Sequence, residues 1–360
     1  MSGQKHVSWL QDLDPEDTFV AGRKCMGLGG MIRDGLAIPP GFATTLVAYN
    51  KFLELTGLNK EIAAYFEKNK GKMEADLRVN DVRIFGEAEK YIGNLIETQS
   101  MPAELEEEIL SFYHQLGKQC QVDDVPVAVR SSGPVSMPGQ FDTFLHVEGE
   151  EALLEKIIKV WSSSYNARSM AYRLQRGMSL ENSPIGIAIM KMVNARSSGV
   201  MFTLDPLNGD RSVITIEGSW GLGESLVSGQ VTPDTFTLNK VTMEITKRTI
   251  GEKAIEMIGG PDGEVISVEV DEKRRNIPCI TEEEIYGLGK LGKKVEAKYK
   301  LPQDIEWAVD DDLPASDNLV LLQTRPETVW NKKEIKPLYD SKKSAMDHIV
   351  SKLMAGEKIG

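Results

Sequence analysis

Two short stretches near the end of the chain carry oxygen-bearing and cationic side chains at alternate positions. Asp304 and Glu306 alternate with apolar residues, and Gln323 and Arg325 are also two positions apart. Residues two apart in an extended strand share a face, so each stretch can present its polar pair on one side. Mg²⁺ prefers oxygen ligands, and arginine suits the charge that builds on a transferring phosphoryl group. These side chains therefore indicate nucleoside-triphosphate chemistry.

A β-hairpin is the element that would bring these side chains together. The acidic segment 310–318 contains a proline and is typical of a solvated loop, and an extended pattern resumes after it. The two strands would then lie side by side with their polar faces aligned. An ordinary surface hairpin with a solvated polar face would give the same pattern, and these residues alone do not decide between the two interpretations.

Two cationic residues earlier in the chain could contact phosphates. Lys24 lies in a glycine-rich turn before a short helix predicted over residues 26–33, and a lysine in such a turn can reach a phosphate. Arg130 follows a short predicted strand and precedes a Ser, Gly and Pro-rich loop over residues 131–140, an arrangement that suits a phosphate clamp and lid. A solvated lysine and a long hairpin loop are the simpler alternatives.

Two further stretches could contact the rest of a nucleotide. Residues 185–193 form an apolar strand broken only by Lys191, and such a segment can stack on adenine and bind its edge through backbone groups. A buried core strand would show the same pattern. Glu217 ends another predicted strand, just before a glycine- and serine-rich stretch over residues 218–234 that leaves the backbone open to close approach.

The composition restricts the partners and the compartment. The net charge of −12 argues against nucleic acid or an anionic membrane as the main partner. Cys25, Cys120 and Cys279 are odd in number and widely separated, which disfavours a disulfide framework or a thiolate metal site. There is no signal-peptide core and no apolar run of membrane-spanning length. We therefore expect a cytoplasmic protein.

Taken together in this order, the motifs resemble the N-terminal ATP-grasp domain of the phosphoenolpyruvate synthase and pyruvate, phosphate dikinase family, over about residues 7–328. The motifs that carry the resemblance are GRKCMGLGGM, VAVRSS, SMPGQFDTF, MKMV, SGVMFT, WGLGE, VTPD, DIEW and LLQTRPET. The resemblance implies an α+β ATP-grasp fold, with two lobes and the nucleotide in the cleft between them. The expected lobes are residues 1–190, with a helical insertion at about 45–115, and residues 191–330, followed by a lysine-rich tail at 331–360.

The resemblance also implies roles for individual residues. Lys24 and Arg130 would hold the phosphates of ATP, and Arg325 would stabilise phosphoryl transfer. Glu306 and Gln323 would ligate Mg²⁺. The remaining expected ATP contacts are a phosphate-covering loop over residues 136–143, the adenine linker, and two carboxylates near the nucleotide: Ser136, Gly139, Gln140, Thr143, Met192, Val193, Glu217 and Asp304.

The activity expected from this resemblance needs a second polypeptide. The chain stops about thirty residues after QTRPET, and in scope it resembles the ATP-binding subunit of phenylphosphate synthase, a split enzyme of this family. Such a subunit would transfer the β-phosphoryl group of ATP to a histidine on a partner subunit and from there to phenol, releasing AMP and phosphate. The alternatives are the same half reaction with pyruvate or an antibiotic hydroxyl as acceptor, or a nucleotide sensor without turnover. A sensor would not need an arginine for the transition state, so Arg325 disfavours that alternative.

Overall fold

Two antiparallel sheets organise the computed structural model, which describes residues 5–13, 18–78, 83–134, 141–260 and 264–331. The first sheet has the strand order β1-β2-β5-β3-β4, and the second has the order β13-β12-β6-β7-β8-β9. Strands β10 and β11 form a separate hairpin. The strands are β1 Val7–Trp9, β2 Gly41–Thr44, β3 Val127–Ser132, β4 Thr143–Val147, β5 Gly186–Lys191, β6 Ala195–Phe202, β7 Val213–Trp220, β8 Asp234–Asn239, β9 Ile245–Thr249, β10 Ile255–Gly259, β11 Val265–Glu269, β12 Gln303–Asp310 and β13 Leu319–Pro326.

Helices α2 to α5 lie between β2 and β3 along the chain. Each has an apolar face, as in α4, where Ile84, Ala88, Ile92 and Ile96 recur every four residues and are buried. The helices are α1 Thr18–Arg33, α2 Leu46–Leu55, α3 Leu58–Arg78, α4 Arg83–Glu97, α5 Ala103–Cys120, α6 Glu150–Ser163, α7 Ala167–Gln175, α8 Glu224–Val227, α9 Glu272–Arg275 and α10 Glu282–Tyr299. In the described part of the chain, no helix is long and apolar enough to cross a membrane.

The side chains of β5 show how the first sheet divides its two faces. Ile187 and Ile189 point into a core formed with α2 to α7. Ala188 and Met190 point to the other face, into a second core that contains α1, α10 and the buried face of the second sheet. Helix α1 therefore packs against both sheets and lies where they approach each other.

The start of α1 differs from the prediction. The sequence predicted a turn around Lys24 and a helix from residue 26, but Lys24 lies within α1, and the helical geometry breaks at Gly22, with φ 79°. The end of β3 explains the difference, because Gly133 accepts a hydrogen bond from the Arg23 amide and the Ser132 hydroxyl accepts one from the Cys25 amide. A Cβ at position 22 would lie 2.0 Å from the Ser132 carbonyl oxygen, so only glycine fits at this break.

The second sheet presents its polar face towards the first sheet. Ile305, Trp307 and Val309 are buried against the second core, whereas Glu306 and Ala308 point into the space between the sheets. Helix α10 packs beside β12 on the buried side, and it begins with a capping box between Thr281 and Glu284. Two antiparallel sheets with helices on their outer sides and a shared cleft confirm the predicted α+β ATP-grasp fold class.

Candidate active site

The hairpin formed by β12 and β13 has the pairing that the sequence predicted. Asp304 pairs with Arg325, and Glu306 pairs with Gln323, in an antiparallel register. Residues that are paired across two strands share a face of the sheet. The structure therefore places all four polar side chains on the face of the second sheet that points towards the cleft.

One extra residue interrupts this hairpin beside Glu306. Glu306 pairs with Gln323 while Trp307 pairs with Leu321, so Leu322 has no opposite partner and forms a β-bulge. The Leu322 carbonyl oxygen accepts a hydrogen bond from Nη1 of Arg130 at 3.2 Å. The Leu322 side chain packs with a small apolar cluster that consists of Val193, Ala195, Ala308 and Val320. The bulge thus provides both a polar contact and an apolar wall.

Arg130 and Glu306 connect the two sheets directly. Nη2 of Arg130 lies 2.6 Å from Oε2 of Glu306, although the two residues are 176 positions apart. The sequence predicted Arg130 at the end of a short strand, but it lies inside β3, because β3 continues to pair with β5 as far as Ser132 and Gly186. The Nε atom of Arg130 is buried and has no hydrogen-bond acceptor among the described residues. It could therefore donate to an anionic ligand.

The surrounding cations keep Glu306 ionised. Burial by itself would raise the pKa of this carboxyl, but Arg130, Lys24 and Arg325 together outweigh burial and hold the pKa below its usual value. A carboxylate must be deprotonated to ligate a metal ion. Glu306 is therefore in the right protonation state for a metal ligand at neutral pH.

Lys24 approaches the same place from α1, two residues after the break at Gly22. The pKa of Lys24 is lowered to about 8, chiefly by burial and also by the nearby charges of Arg130 and Arg325, while Glu306 and Cys25 act in the opposite direction. Within the described residues, the Lys24 amine forms no ion pair or hydrogen bond. Lys24 is poorly solvated and close to two other cations, so an added anion would stabilise its ammonium form.

Arg325 and Asp304 form the outer ion pair of the site. Nε and Nη2 of Arg325 lie 2.8 and 2.7 Å from Oδ2 of Asp304. Arg325 is about half exposed, at 49%, whereas Asp304 is mostly buried, at 13%. Burial raises the pKa of Asp304, and Arg325 partly opposes this effect. One side of the Arg325 guanidinium therefore remains available to a ligand.

Glu217 and Gln323 lie in one row with Glu306 across the second sheet. The row runs from Gln323 on β13 through Glu306 and Val200 to Glu217 on β7. Neighbouring strands are about 4.8 Å apart, so the backbone of Glu217 lies roughly 10 Å from that of Glu306. Burial raises the pKa of Glu217. Glu217 therefore lies on the cleft side of the sheet, two strands away from Glu306.

A cavity of about 510 Å³ lies between the sheets. Its size is within the usual range for small-molecule sites. It is charged where Arg130 and Glu306 meet and apolar near the linker between β5 and β6, where Val193 and Leu322 line it. This distribution suits a ligand with an aromatic ring at one end and anionic groups at the other.

The predicted site residues fall into three groups. Those that line the cavity are Arg130, Thr143, Met192, Val193 and Glu306. Those beside its charged end or on the same sheet face, but outside the lining, are Lys24, Glu217, Asp304, Gln323 and Arg325. Those outside the described residues are Ser136, Gly139 and Gln140.

The sequence analysis missed several lining residues. Met257 of β10 and Leu222 close one side of the cavity, and Glu224 of α8 also lines it. Glu224 belongs to the WGLGE motif, which could have indicated its place in the site. Met257 lies in a short apolar strand, and nothing in the sequence distinguishes it from a core residue. The predicted solvated loop after β12 is also tied to the linker, because Asp312 accepts hydrogen bonds from Lys191 and Asn194 at 2.8 and 2.9 Å.

The oxygen ligands of the site suit Mg²⁺ bound together with a phosphate ligand. Among the described residues, no group of three or more His, Cys, Asp or Glu side chains could hold a metal ion by itself. Mg²⁺ commonly takes only one or two protein carboxylates and completes its coordination with waters and substrate phosphates. The ionised Glu306 and the neighbouring Gln323 fit that pattern.

Comparisons with known proteins agree with this chemistry. The family model described as pyruvate phosphate dikinase, AMP/ATP-binding domain, matches residues 19–346. A probable phosphoenolpyruvate synthase of Staphylothermus marinus is 35% identical, with 94% of this chain and 43% of the relative covered. The phosphoenolpyruvate synthase of Aeropyrum pernix is 36% identical, with 91% and 43% covered. A probable phosphoenolpyruvate synthase of Methanocaldococcus jannaschii is 36% identical, with 91% and 27% covered.

The coverage limits what these relatives imply. The chain spans less than half the length of each of these three relatives. Among solved structures, D-alanyl-alanine synthetase A from Vibrio cholerae matches with 11% identity and a TM-score of 0.29, covering 72% of this chain and 57% of that one. A TM-score this low carries no argument.

Proposed function

The chain belongs to the family of the pyruvate phosphate dikinase AMP/ATP-binding domain, and from this premise we propose that it is the ATP-using part of a dikinase-type phosphotransferase. The observation that carries the proposal is the Arg130–Glu306 ion pair, which joins the two sheets at the charged end of the cavity. An arginine for phosphate oxygens and an ionised carboxylate for Mg²⁺ are the two components that such a site requires.

Each charged residue has a distinct proposed role. Lys24 and Arg130 hold phosphate oxygens, since among the described residues the Lys24 ammonium has no ion pair and Nε of Arg130 is a buried donor without an acceptor. Glu306 and Gln323 provide oxygen ligands for Mg²⁺, with Asp304 close to Glu306. Mg²⁺ would neutralise charge on the phosphates, and Arg325 would stabilise the charge that moves during transfer.

The apolar end of the cavity accommodates the base. Met192 and Val193 line it from the linker, and Ala308 and Leu322 line it from the second sheet. Backbone groups of the linker would bind the edge of adenine.

Phosphoenolpyruvate synthase activity is the better-supported overall reaction. The three relatives named above all carry that name or a probable form of it, whereas the hypothesis of a phenylphosphate synthase subunit is not confirmed. We therefore propose pyruvate, rather than phenol, as the final phosphoryl acceptor. In the proposed reaction a histidine takes the β- and γ-phosphoryl groups of ATP together and AMP leaves. Water then hydrolyses the γ-phosphoryl group to phosphate, and the remaining β-phosphoryl group passes from the histidine to pyruvate.

The histidine that carries the phosphoryl group is proposed to lie outside the described residues. His6 contacts Glu108, His114 contacts Glu150, and His146 lies against Gly259. None of these three lines the cavity. His348 is outside the described residues. Histidine is the expected carrier because a covalent phosphoryl intermediate divides one difficult transfer into two easier steps.

Labelling with ATP that carries a radioactive β-phosphate tests this proposal. We expect the chain alone to bind Mg²⁺-ATP and to remain unlabelled. Adding a polypeptide with the phosphohistidine and pyruvate-binding domains of a phosphoenolpyruvate synthase should give an acid-labile label on that polypeptide, and then labelled phosphoenolpyruvate when pyruvate is supplied. A variant with Arg130→Ala is the negative control. Stable labelling of this chain by itself, or failure to bind ATP, would contradict the proposal.

A further inference from the structure

The β10–β11 hairpin lies outside both large sheets and covers one side of the cavity. It is joined to the second sheet by a bridge between Gly221 and Met257, where the Leu222 amide donates to the Met257 carbonyl oxygen at 2.8 Å. Met257 also lines the cavity. A two-stranded hairpin is only marginally stable alone, so its position depends on contacts such as these.

The outer face of this hairpin is fixed to the second sheet. Arg274 forms hydrogen bonds of 3.0 and 3.3 Å with the carboxylate of Glu256 on β10. The Arg274 guanidinium also stacks over the ring of Trp220, 4.4 Å from its centroid, and Trp220 donates to the Arg274 carbonyl oxygen. Because Trp220 belongs to β7, the hairpin should move together with the second sheet.

The inner face of the hairpin contacts the first sheet. Gly259 is two positions from Met257 and therefore shares its face. A Cβ at Gly259 would lie 2.4 Å from both Cε1 and Nδ1 of His146. No residue other than glycine fits here unless the imidazole ring moves. The close approach of Gly259 to His146 is thus a direct contact between the hairpin and β4.

His146 has an unusual backbone conformation at this contact. Its φ is 57°, in the left-handed region, and the pairing of β4 with β3 gains one extra residue between Phe144 and Val147. This conformation is unfavourable for a non-glycine residue, so it persists only where the surrounding structure holds it. Thr143 and Leu145, just before it, line the cavity. Strand β4 therefore lines the cavity with one part and contacts the hairpin with the next.

The His146–Gly259 contact lies away from the linker that joins the two sheets. The two sheets are covalently linked between β5 and β6, and β4 lies two strands away from β5, at roughly 10 Å. Rotation about the linker would separate His146 from Gly259 on one side of the cavity. The same rotation would also separate Arg130 from Glu306, which join the sheets at the charged end of the cavity.

We infer that His146 and Gly259 form a latch between the two sheets, which closes over a bound nucleotide and opens when the nucleotide enters or leaves. This inference rests on the proposed function, because it assumes that the cavity binds the nucleotide. The latch would slow nucleotide release and hold Met257 and Leu145 against the bound molecule.

A double-mutant cycle isolates the latch from other effects. In Gly259→Ala the new methyl group displaces the His146 ring, and we expect nucleotide dissociation to become faster by roughly tenfold, since changes at a contact act mainly on dissociation. His146→Ala removes the ring that forms the contact and should accelerate dissociation by a similar factor. The variant with both changes should release nucleotide no faster than His146→Ala, because the smaller side chain makes room for the methyl group. Gly86→Ala, which meets no atom within 4 Å, is the matched control.

Two measurements keep the outcomes distinct. Stopped-flow release of a fluorescent ATP analogue gives the dissociation rates, and hydrogen exchange of β4 and of the Leu222 amide without nucleotide reports on the contact itself. Faster exchange and release in both single variants, with no further increase in the double variant, support the latch, whereas wild-type rates in His146→Ala would overturn it. Additive effects of the two changes, or exchange and release rates equal to wild type in Gly259→Ala, would overturn it. Failure of the wild type to bind the analogue contradicts the proposed function instead, and the exchange measurement still tests the latch.

Discussion

The side chain of Arg325 lies opposite Asp304 on neighbouring strands, and two of its nitrogens contact a single oxygen, Oδ2, of that carboxylate. The contact leaves the rest of the guanidinium exposed towards the cleft. Asp304 therefore orients Arg325 without neutralising all of its hydrogen-bond donors. An arginine held in this way is oriented before a ligand arrives, which suits a role in transition-state stabilisation.

Replacement of this arginine should affect turnover more than binding. We expect Arg325→Ala to lower the rate of histidine phosphorylation about a thousandfold or more, as for other arginines that stabilise phosphoryl transfer, with a much smaller change in the dissociation constant for ATP. Single-turnover kinetics and calorimetric titration separate the two effects. The melting temperature should fall modestly, because Arg325 is about half exposed but its loss leaves the mostly buried Asp304 without its partner. Equal losses of binding and turnover would assign Arg325 to ground-state binding.

The metal-ligand role of Glu306 predicts a Mg²⁺-specific defect. Glu306→Gln keeps a hydrogen-bond acceptor for Arg130 but removes the anionic ligand. We expect the affinity for Mg²⁺-ATP to fall at least about tenfold, the usual effect of losing an interaction with a charged group. Calorimetric titrations with and without Mg²⁺ measure this difference. Glu67→Gln, on an exposed helix position, is the control, and an equal loss in the absence of Mg²⁺ would contradict the role.

ATP affinity should decrease at alkaline pH because of Lys24. Its pKa is lowered to about 8 by burial, so the free protein loses the proton of this amine above that pH. Phosphate binding favours the ammonium form, and the dissociation constant should therefore rise by up to about tenfold per pH unit above pH 8. Lys24→Arg keeps its charge and should remove this dependence. Titrations between pH 7 and pH 10 test it, and a flat wild-type profile would exclude Lys24 from phosphate binding.

The same amine should reduce the stability of the folded chain at neutral pH. The pKa of Lys24 is about 8 in the folded chain against 10.5 for an unperturbed lysine, so the unfolded chain binds more protons between these values. The free energy of unfolding should therefore rise with pH across that window. Lys24→Met is expected to raise the melting temperature at pH 7 and to give little gain above pH 10.5. Denaturation curves at both pH values measure this difference.

The carboxyl group of Glu217 should give the free energy of unfolding the opposite pH dependence. Burial raises the pKa of its carboxyl, so the folded chain binds more protons than the unfolded chain, and stability is lost as pH rises through that range. Glu217→Gln should therefore raise the melting temperature at pH 7 relative to wild type. It should also weaken ATP binding if Glu217 contacts the nucleotide. Improved stability with unchanged ATP affinity would remove Glu217 from the site.

The sequence was most informative where the determining interactions are local. The alternation around Glu306 predicted the hairpin and its polar face, which the pairing of β12 with β13 confirms. The contact between Arg130 and Glu306 joins residues 176 positions apart, and only the family resemblance indicated that they would meet. The bulge at Leu322 has no signal in the sequence, because its leucine looks like any other apolar strand residue.

The bulge at Leu322 also affects how the hairpin tolerates changes in length. In a regular strand, losing one residue turns every later side chain to the opposite face. Here Trp307 already pairs with Leu321 and Glu306 with Gln323, so a deletion of Leu322 would leave both neighbouring pairs in phase. Such a deletion would remove a carbonyl from Arg130 and an apolar wall from the cavity while the ligands beyond it kept their orientation. A deletion of Val320 would instead put the two ends of β13 out of phase.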